Sequence, residues 1–382
     1  MYEYEKNQKY FAQVTGTLEK YAQQELQTFG ATIISEHPRG IRFSCDKETL
    51  YRIVYCSRII QRVLAPLISM QCHSEKYLYQ QAMKNIDWTS LINLNQNFSI
   101  ITNVSNSLIQ NSLYAGQILK DAICDQFKQK FGKRPNFQPK DGDIVLNLYI
   151  NDNWATISYD ISGISLHKRG YRTESSTAPL QETLAAAIIQ IIDPNPSWQR
   201  TFTDICCGSG TLLAEALMKY CNIPAGYLRK DNYLIAMPNF DPTLWEKVKK
   251  NENNKIMPLK KGLIFGSDIN KDCIEISRHN LKNLPFGDNV ELVVSAFQDL
   301  PKKENRLTVC NPPYGIRIGK TEDIIKLYND LGDFLKQKCP RSENFILSGK
   351  PELLPHLRLR IHSKKTLKNG DIETKLAKII IR

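Results

Sequence analysis

Four consecutive residues have the composition of a site that holds a planar amine. The motif is Asn311-Pro312-Pro313-Tyr314, and it directly follows an apolar run that ends at Cys310. Two prolines fix φ and present their backbone carbonyls rigidly. The Asn311 side-chain oxygen and the Pro312 carbonyl can then accept hydrogen bonds from an –NH₂ group, while the Tyr314 ring offers a stacking face to a base. The simpler interpretation is a turn of two prolines that ends a strand.

The chemistry that such a motif supports is group transfer to nitrogen. An amine on an aromatic ring is a poor nucleophile, because its lone pair is delocalised. A site that holds both N–H bonds aims the lone pair at an electrophile, so positioning promotes an in-line displacement. The motif therefore indicates an amine or amide nitrogen as the nucleophile and leaves the substrate open.

A glycine-containing turn is the second candidate. The run Asp204–Thr211, DICCGSGT, joins a predicted strand to a predicted helix. Gly208 and Gly210 let the backbone turn tightly and approach a ligand, and the helix start supplies unpaired N–H donors. Neither G-x-x-x-x-G-K-[ST] nor G-x-G-x-x-G is present, so the turn differs from two common nucleotide-binding motifs. The alternative is a glycine-rich turn without a ligand.

The third candidate is a carboxylate at the end of the next strand. Asp268 closes the run Gly266-Ser267-Asp268, where a carboxylate can accept both ribose hydroxyls of a nucleoside cofactor. It lies 64 residues beyond Asp204, whereas about 20 is usual in dinucleotide folds. An insertion at 224–261, rich in Lys, Asn and Pro, accounts for the surplus. Taken alone, Asp268 is also consistent with a helix N-cap.

The elements that must position these residues alternate between strand and helix from about residue 180. The pattern predicts strands at 201–205, 263–265, 290–294, 306–310 and 345–347, and helices at 181–192, 212–220 and 273–284. Such alternation predicts an α/β fold with a doubly wound, mostly parallel sheet and with ligands at the carboxyl ends of its strands.

The first half of the sequence predicts α+β units instead. The predicted strands are 10–14, 40–44 and 98–104, the predicted helices are 18–29, 47–56 and 114–131, and a hairpin pairs 144–150 with 154–159. Residues 128–135 form a basic loop beside aromatic side chains, which could follow a phosphate backbone. Such a run is more often a solvated helix end.

Composition narrows the class of protein. The chain has 382 residues, which suggests two or three domains, and a formal charge of +12, which favours polyanionic partners such as nucleic acid. The 10 cysteines contain no C-x-x-C pair, and His167 has no partners at ligand spacing, so no metal is predicted. The sequence contains no signal-peptide pattern and no bilayer-length apolar run, so we expect a cytoplasmic protein without a membrane partner.

The motifs at 204–211, 268 and 311–314 resemble those of class I amino-methyltransferases. Further similarity to THUMP-domain RNA guanine-N2 methyltransferases lies outside these motifs, and the bacterial 23S rRNA methyltransferase L family, in its short form with one methyltransferase domain, is the most similar group. The segments that carry it are Asp160–Gly163, Leu166–Arg172, Ala178–Leu180, Glu182–Ala186 and Lys368–Glu373. One departure is Ile205, where that family usually has proline, and we expect it to change the rigidity of the turn without abolishing binding.

The resemblance implies a division into domains and a reaction. It implies a ferredoxin-like domain at 1–65, a THUMP RNA-binding domain at 66–160 and a Rossmann-like class I methyltransferase domain at 161–382. The cofactor would be S-adenosylmethionine, and the product an RNA methylated on the exocyclic N2 amine of a guanine, in 23S rRNA first and in tRNA as an alternative. Asn311, Pro312, Pro313 and Tyr314 would hold the target base. The residues implied to contact the cofactor are Asp204, Cys207, Gly208, Gly210, Thr211, Asp268 and Asp299, with Asp299 near the adenine amine.

Other interpretations stay open at this point. Asn-Pro-Pro-Tyr also occurs in DNA adenine-N6 methyltransferases, and a non-catalytic RNA-binding protein with a vestigial pocket is a further alternative. Cys310 could be the thiolate of an enzyme that methylates a pyrimidine ring, but its order relative to Asn311 favours a buried strand residue. Cys206 and Cys207 are more consistent with packing than with a redox pair. The sequence carries no information on the oligomeric state.

Overall fold

The computed structural model of the protein describes residues 1–174, 180–196, 200–229, 233–313 and 321–382. The chain divides into two units, each with its own sheet. Unit 1 comprises Met1–Val14, Ala22–Leu166 and Arg229–Lys250, and unit 2 comprises Thr15–Tyr21, His167–Leu228 and Asn251–Arg382.

Unit 1 is built on an eight-stranded sheet. Its strands are β1 (Lys9–Val14), β2 (Thr32–His37), β3 (Gly40–Ser44), β4 (Ile60–Gln71), β5 (Asn97–Ser105), β6 (Asn136–Phe137), β7 (Ile144–Asn151) and β8 (Trp154–Asp160). The order across the sheet is β2-β3-β1-β4-β8-β7-β5-β6. The helices in this part of the chain are α1 (Glu3–Asn7), α2 (Glu19–Phe29), α3 (Lys47–Cys56), α4 (Glu75–Asn85), α5 (Trp88–Leu91) and α6 (Ser112–Phe131).

The long strand β4 joins the two predicted N-terminal modules into one sheet. Its first half pairs with β1, and its register with β8 runs from Leu64 opposite Asp160 to Gln71 opposite Trp154. The helix that follows β3 begins at a side-chain cap, since Asp46 is the N-cap of α3 and accepts from the Thr49 N–H at 2.7 Å. The division at 65/66 stays a prediction, because the sheet is continuous across it.

Unit 2 contains a seven-stranded sheet. Its strands are β9 (Thr201–Asp204), β10 (Ile264–Asp268), β11 (Glu291–Val294), β12 (Arg306–Cys310), β13 (Ser342–Ser348), β14 (Ile361–Asn369) and β15 (Ile372–Ile381). The order is β11-β10-β9-β12-β13-β15-β14, and β15 runs antiparallel to both its neighbours while the other pairs are parallel. The later helices are α7 (Glu182–Ile192), α8 (Thr211–Tyr220), α9 (Pro242–Asn253), α10 (Lys271–Lys282) and α11 (Thr321–Lys338).

The strand order of unit 2 reverses direction beside β9. The chain moves outward from β9 through β10 to β11, then crosses back to β12 and continues to β13. In sheets of this kind a crevice forms at the carboxyl ends of the strands where the order reverses. The predicted fold class, a Rossmann-like α/β domain preceded by α+β modules, is confirmed.

Part of the predicted insertion packs in unit 1. Described residues of this segment pack on α3, where the Asp241 N–H donates to the Tyr51 hydroxyl at 2.8 Å and the Trp245 ring meets the edges of Tyr51 and Tyr55 at 5.7 Å between centroids. Aromatic edge contacts of this kind add to the hydrophobic burial of the rings. Within the described part of the chain, the length and apolar character that a membrane-crossing helix requires are not found in any helix.

Candidate active site

Three of the predicted residues meet at the carboxyl ends of adjacent strands. Asp204 ends β9, Asp268 ends β10, and Asn311 directly follows β12. The register places Gly266 of β10 and Val309 of β12 on either side of Asp204. The three side chains therefore belong to one edge of the sheet, at the point where the strand order reverses.

The glycine turn after β9 depends on two left-handed residues. Gly208 has φ +53° and Gly210 has φ +80°, a region that favours glycine. A Cβ on Gly210 would lie 3.0 Å from the Ser277 Oγ, so α10 also requires a glycine there. A Cβ on Gly208 would meet nothing within 4 Å among the described residues. The turn is therefore tight against α10 at one glycine and open at the other.

Asp268 fixes this turn to the next strand. Its Oδ2 accepts the Gly208 N–H at 3.0 Å, and its Oδ1 accepts the Asn270 N–H at 2.9 Å. The alternative role of Asp268 as a helix cap is wrong, because Asn270 is the N-cap of α10 and accepts from the Asp272 N–H at 2.8 Å. The Asp268 side chain is half-buried at the open side of the turn.

The Asp204 carboxyl is buried beside the turn. Its one hydrogen bond to a described residue comes from the Cys206 N–H, at 3.2 Å from Oδ1. Burial raises the pKa of Asp204 to about 8; the Cys206 hydrogen bond lowers it, and the negative charge of Asp268 raises it further. A buried carboxyl favours its neutral form until a cation approaches. Asp204 is therefore protonated over much of the neutral range in the ligand-free chain.

The Asn311 side chain presents an unpaired acceptor. Its Oδ1 is buried and has no hydrogen-bond partner among the residues that the structure describes. Leaving a buried acceptor unpaired costs about 1–3 kcal/mol, so an N–H donor supplied by a ligand would relieve it. Pro312 is buried and Pro313 is exposed, whereas Tyr314 lies outside the described residues.

Cys310 is a buried residue of β12, as predicted. Burial raises the pKa of its thiol well above the usual value, and the neighbouring Cys206 side chain raises it further. A thiol in that state does not provide the thiolate that attack on a pyrimidine ring requires. The pyrimidine-methylating alternative therefore has no support from this site.

The other predicted cofactor residues differ in whether their side chains are accessible to a ligand. Cys207 is buried, with its Sγ 4.0 Å from the Ser277 Oγ. The Thr211 Oγ1 accepts from the Arg172 guanidinium at 2.7 Å. Asp299 lies in a 3₁₀ turn after β11, and its carboxylate is exposed. If Cys207 and Thr211 contact a cofactor, they would therefore do so mainly through backbone atoms. Asp299 would contact it through its side chain.

Two polar residues of α10 support the turn and were not predicted. The Ser277 Oγ donates to the Gly208 carbonyl at 2.6 Å, and the Asn280 Nδ2 donates to the Ser209 carbonyl at 3.0 Å. Both are buried on the same helix face as Ile274 and Leu281. A polar residue at an apolar position of a helical pattern is the signal that could have identified them.

A buried ion pair anchors the segment before α7. The Arg169 Nε lies 3.3 Å from the Glu215 Oε1, with side-chain exposures of 1% and 0%, and the Tyr171 hydroxyl donates to the same oxygen at 3.2 Å. Arg172 lies 3.5 Å from Glu182, whose pKa is raised by burial. Glu215 is on α8, the helix that follows the glycine turn. Its contacts with Arg169 and Tyr171 therefore hold the 169–172 segment against that helix.

The described residues include no group of three His, Cys, Asp or Glu side chains placed to hold a metal ion. That no metal takes part stays a prediction.

Three family models match the chain, one after another. An RlmL ferredoxin-like domain matches residues 9–64, a THUMP domain matches 72–160, and an RMKL-like methyltransferase domain matches 169–378. The last covers more than half of the chain.

Curated relatives align over nearly the full chain. A Synechocystis sp. protein described as a candidate RNA methyltransferase is 32% identical over 97% of this chain and 96% of its own length. The Legionella pneumophila and Photobacterium profundum proteins named ribosomal RNA large subunit methyltransferase K/L are 31% and 33% identical over 97% and 98% of this chain. The chain spans about half of the K/L proteins, 52% and 53% of their lengths.

Solved structures share the whole architecture. SMU.472, a candidate methyltransferase crystallised with S-adenosylhomocysteine (SAH), superposes with a TM-score of 0.86 at 25% identity, over 98% of each chain. TrmN from Thermus thermophilus superposes with a TM-score of 0.69 at 14% identity, over 98% of this chain and 100% of its own, which shows a common fold.

Proposed function

The chain belongs to the RMKL-like methyltransferase family, with ferredoxin-like and THUMP domains before the methyltransferase domain, and on that premise we propose that it methylates an exocyclic base amine in RNA with S-adenosylmethionine. The specific product that we propose is N2-methylguanosine in 23S rRNA. One observation carries the chemistry: the buried Asn311 Oδ1, which has no partner among the described residues, lies at the strand ends that also hold Asp204 and Asp268.

The residues around the glycine turn fit a nucleoside cofactor. The open side of Gly208 admits a ligand against the backbone, and the Asp268 carboxylate has remaining lone pairs to accept ribose hydroxyls. Asp299 is placed on the next loop along the same edge, where its exposed carboxylate would accept from an adenine amine. S-Adenosylmethionine, when bound, supplies a methyl group on a sulfonium. SMU.472, crystallised with SAH, supports this choice.

The residues after β12 would hold and orient the target amine. Asn311 Oδ1 and the Pro312 carbonyl each accept one N–H of the –NH₂ group, so its lone pair points along a fixed direction. The fixed φ of two consecutive prolines keeps the carbonyl rigid. For this to happen the base must leave its stack and enter the pocket. In this proposal Tyr314 would stack on the base, by resemblance to the family motif.

The RNA part of the proposal is supported by charge and by the first half of the chain. An excess of 12 positive charges favours a polyanion. The THUMP match covers 72–160, and the K/L relatives are named for the RNA of the large ribosomal subunit. Duplex DNA offers the same charge, so the substrate experiment must include it.

The proposed product can be tested in the organism from which the protein comes. Nucleosides from 23S rRNA would be compared between cells with the gene, cells without it, and cells that carry only the Asn311→Ala form. We expect one N2-methylguanosine to be absent from the last two. Unchanged 23S rRNA together with a methyl group missing from tRNA would exclude the rRNA substrate and favour the tRNA alternative.

Asp204 should make cofactor affinity depend on pH. The pKa of the free carboxyl is about 8, and cationic groups of S-adenosylmethionine bound near it would lower that pKa. Binding then releases a proton, so affinity should rise as the pH increases from 6 towards 8, by at most about tenfold per pH unit, and level off above the free pKa. Titration calorimetry in two buffers of different ionisation enthalpy measures the released proton directly.

Asp204→Asn is the control, since it keeps the shape and removes the ionisation. It should bind more weakly above pH 8 and show no proton release. Because folding raises the pKa from the usual 3.8 to about 8, stability of the ligand-free wild type should fall as the pH rises between these values, and the variant should lack this slope. The same pH dependence of affinity in both proteins would contradict the assignment.

A further inference from the structure

A recess in unit 1 shares no lining residue with the candidate active site. Its volume is about 510 Å³, within the range of ligand pockets, and it is formed by the 89–96 segment and the end of α6. Apolar walls come from Ile92, Leu94 and Phe131, and amide side chains come from Asn93, Asn95 and Gln96.

We propose that this recess binds one unpaired nucleobase of an RNA, with its face against the Phe131 ring and its edge against the amides of Asn93 and Asn95. The inference rests on the proposed RNA substrate and names the form of RNA that unit 1 selects, a single-stranded segment.

The Phe131 ring is held in place but remains accessible. It ends α6, where Gly132 adopts the left-handed conformation with φ 68° and terminates the helix. The ring packs against the Phe127 ring at 5.7 Å between centroids, yet the residue is 44% exposed. Exposing an aromatic ring in a recess is unfavourable in water, whereas every base has a face that can stack on it.

The amides at the recess are available for a ligand. Gln96 Oε1 accepts the Asn93 N–H at 2.9 Å, and the Gln96 N–H donates to the Asn93 carbonyl at 2.9 Å, so the turn is closed on itself. The side-chain amides of Asn93 and Asn95 are exposed and have no hydrogen-bond partner in the part of the chain described. Each offers a donor and an acceptor, as base edges require.

The end of α6, which contributes Phe131 to the recess, is rich in lysine. Lys128, Lys130 and Lys133 are exposed around the end of α6. The Lys130 Nζ donates to the Thr89 hydroxyl at 2.6 Å and lies 5.5 Å from the Phe131 centroid. Lys128 and Lys133 form no ion pair with a described carboxylate, so their charges are available to the phosphates of an RNA. This combination fits single-stranded nucleic acid better than an apolar or acidic peptide.

The test measures binding of the full chain to two fluorescent RNAs of equal length, an unstructured oligouridine and a blunt duplex. Phe131→Ala and Phe131→Leu should weaken oligouridine binding by about tenfold or more, because each removes a stacking ring. Phe131→Trp should bind at least as tightly as the wild type, and duplex affinity should change little in all three. Leu113→Ala, at an 82% exposed apolar residue of the same helix, is the matched control and should behave as the wild type.

Three results would overturn the inference. In the first, Phe131→Ala binds oligouridine as tightly as Leu113→Ala does. In the second, a Phe131 variant loses affinity for oligouridine and for the duplex by the same factor. In the third, Phe131→Leu keeps the full wild-type affinity for oligouridine. Thermal unfolding of each variant shows whether it is folded. Phe131→Trp keeps an aromatic ring, so its binding tests the stacking role even if the fold does not accept alanine at position 131. If wild-type methyl transfer to RNA is present but Phe131 has no effect on binding, the recess is excluded and the proposed function stands. If the Phe131 variants lose oligouridine binding but the wild type methylates no RNA, the recess is supported and the proposed function is excluded.

Discussion

Asn311→Ala should lower the turnover number by roughly a hundred- to a thousandfold, the usual effect of removing one positioned hydrogen-bonding group from a transition state. The wild-type Oδ1 is a buried acceptor with no partner among the described residues, so it is available for the amine that reacts. Affinity for S-adenosylmethionine should change little, because the proposed cofactor contacts belong to the turn after β9 and to Asp268. Single-turnover kinetics with labelled cofactor and equilibrium binding separate the two quantities.

Asp268→Ala is the matched comparison, since it should lower cofactor affinity more than turnover. It removes the acceptor of the Gly208 N–H and the proposed acceptor of the ribose hydroxyls, so cofactor affinity should fall by about tenfold or more. Turnover at saturating cofactor should be less affected. If Asn311→Ala lost affinity and turnover in equal measure, Asn311 would be a structural residue and the proposed chemistry would lose its main support.

Glu215→Ala should destabilise the protein by about 3–5 kcal/mol, because it removes a buried carboxylate that pairs with the buried Arg169 guanidinium. Arg169 is 1% exposed and lies 3.3 Å from Glu215, whose oxygen also accepts from the Tyr171 hydroxyl. The loss should appear as a lower denaturant midpoint at pH 7. Activity measured well below the unfolding temperature should fall less, since none of these side chains belongs to the proposed reaction.

The double variant Arg169→Met, Glu215→Leu tests the electrostatic cause. It removes both charges and keeps most of the volume, so it should be considerably more stable than Glu215→Ala. Equal destabilisation by the single and double variants would show that packing around α8, and not an uncompensated charge, determines the effect.

The strands and turns that carry the candidate site could be predicted because their signals are local. β12 occupies residues 306–310 as predicted, since a buried run there is followed by Asn311 and then by two prolines, which end the strand. The predicted helix at 47–56 has the observed bounds for a similar reason, as Asp46 caps it. The placement of Asp204, Asp268 and Asn311 at one edge followed from the parallel order of their strands.

Elements that depend on distant contacts were not predicted. β4 was missed because Pro66 interrupts its pattern; in the structure Pro66 lies where the register with β8 shifts, at a position that tolerates a missing N–H. The edge strand β14 is mostly exposed and lacks apolar alternation. The packing of α9 on α3 has no local signal, because it depends on tertiary contacts of Tyr51 and Trp245.

The departure from the family motif at Ile205 has a structural explanation. Ile205 is buried in the cluster that also contains Cys310, Tyr328 and Leu331. The position is thus part of the core beneath the strand ends, and an apolar residue there preserves the packing on which the turn rests. From the sequence alone, isoleucine in place of proline at position 205 is expected only to change the rigidity of the backbone.

The most direct test of the central claim is methyl transfer by the purified protein. It would be incubated with methyl-labelled S-adenosylmethionine and, separately, with rRNA, tRNA and duplex DNA, and the modified nucleosides would be identified by mass spectrometry. We expect the label in rRNA, as N2-methylguanosine, and none with the Asn311→Ala variant. Label found solely in DNA as N6-methyladenine, or in none of these nucleic acids while the cofactor still binds, would contradict the proposed function.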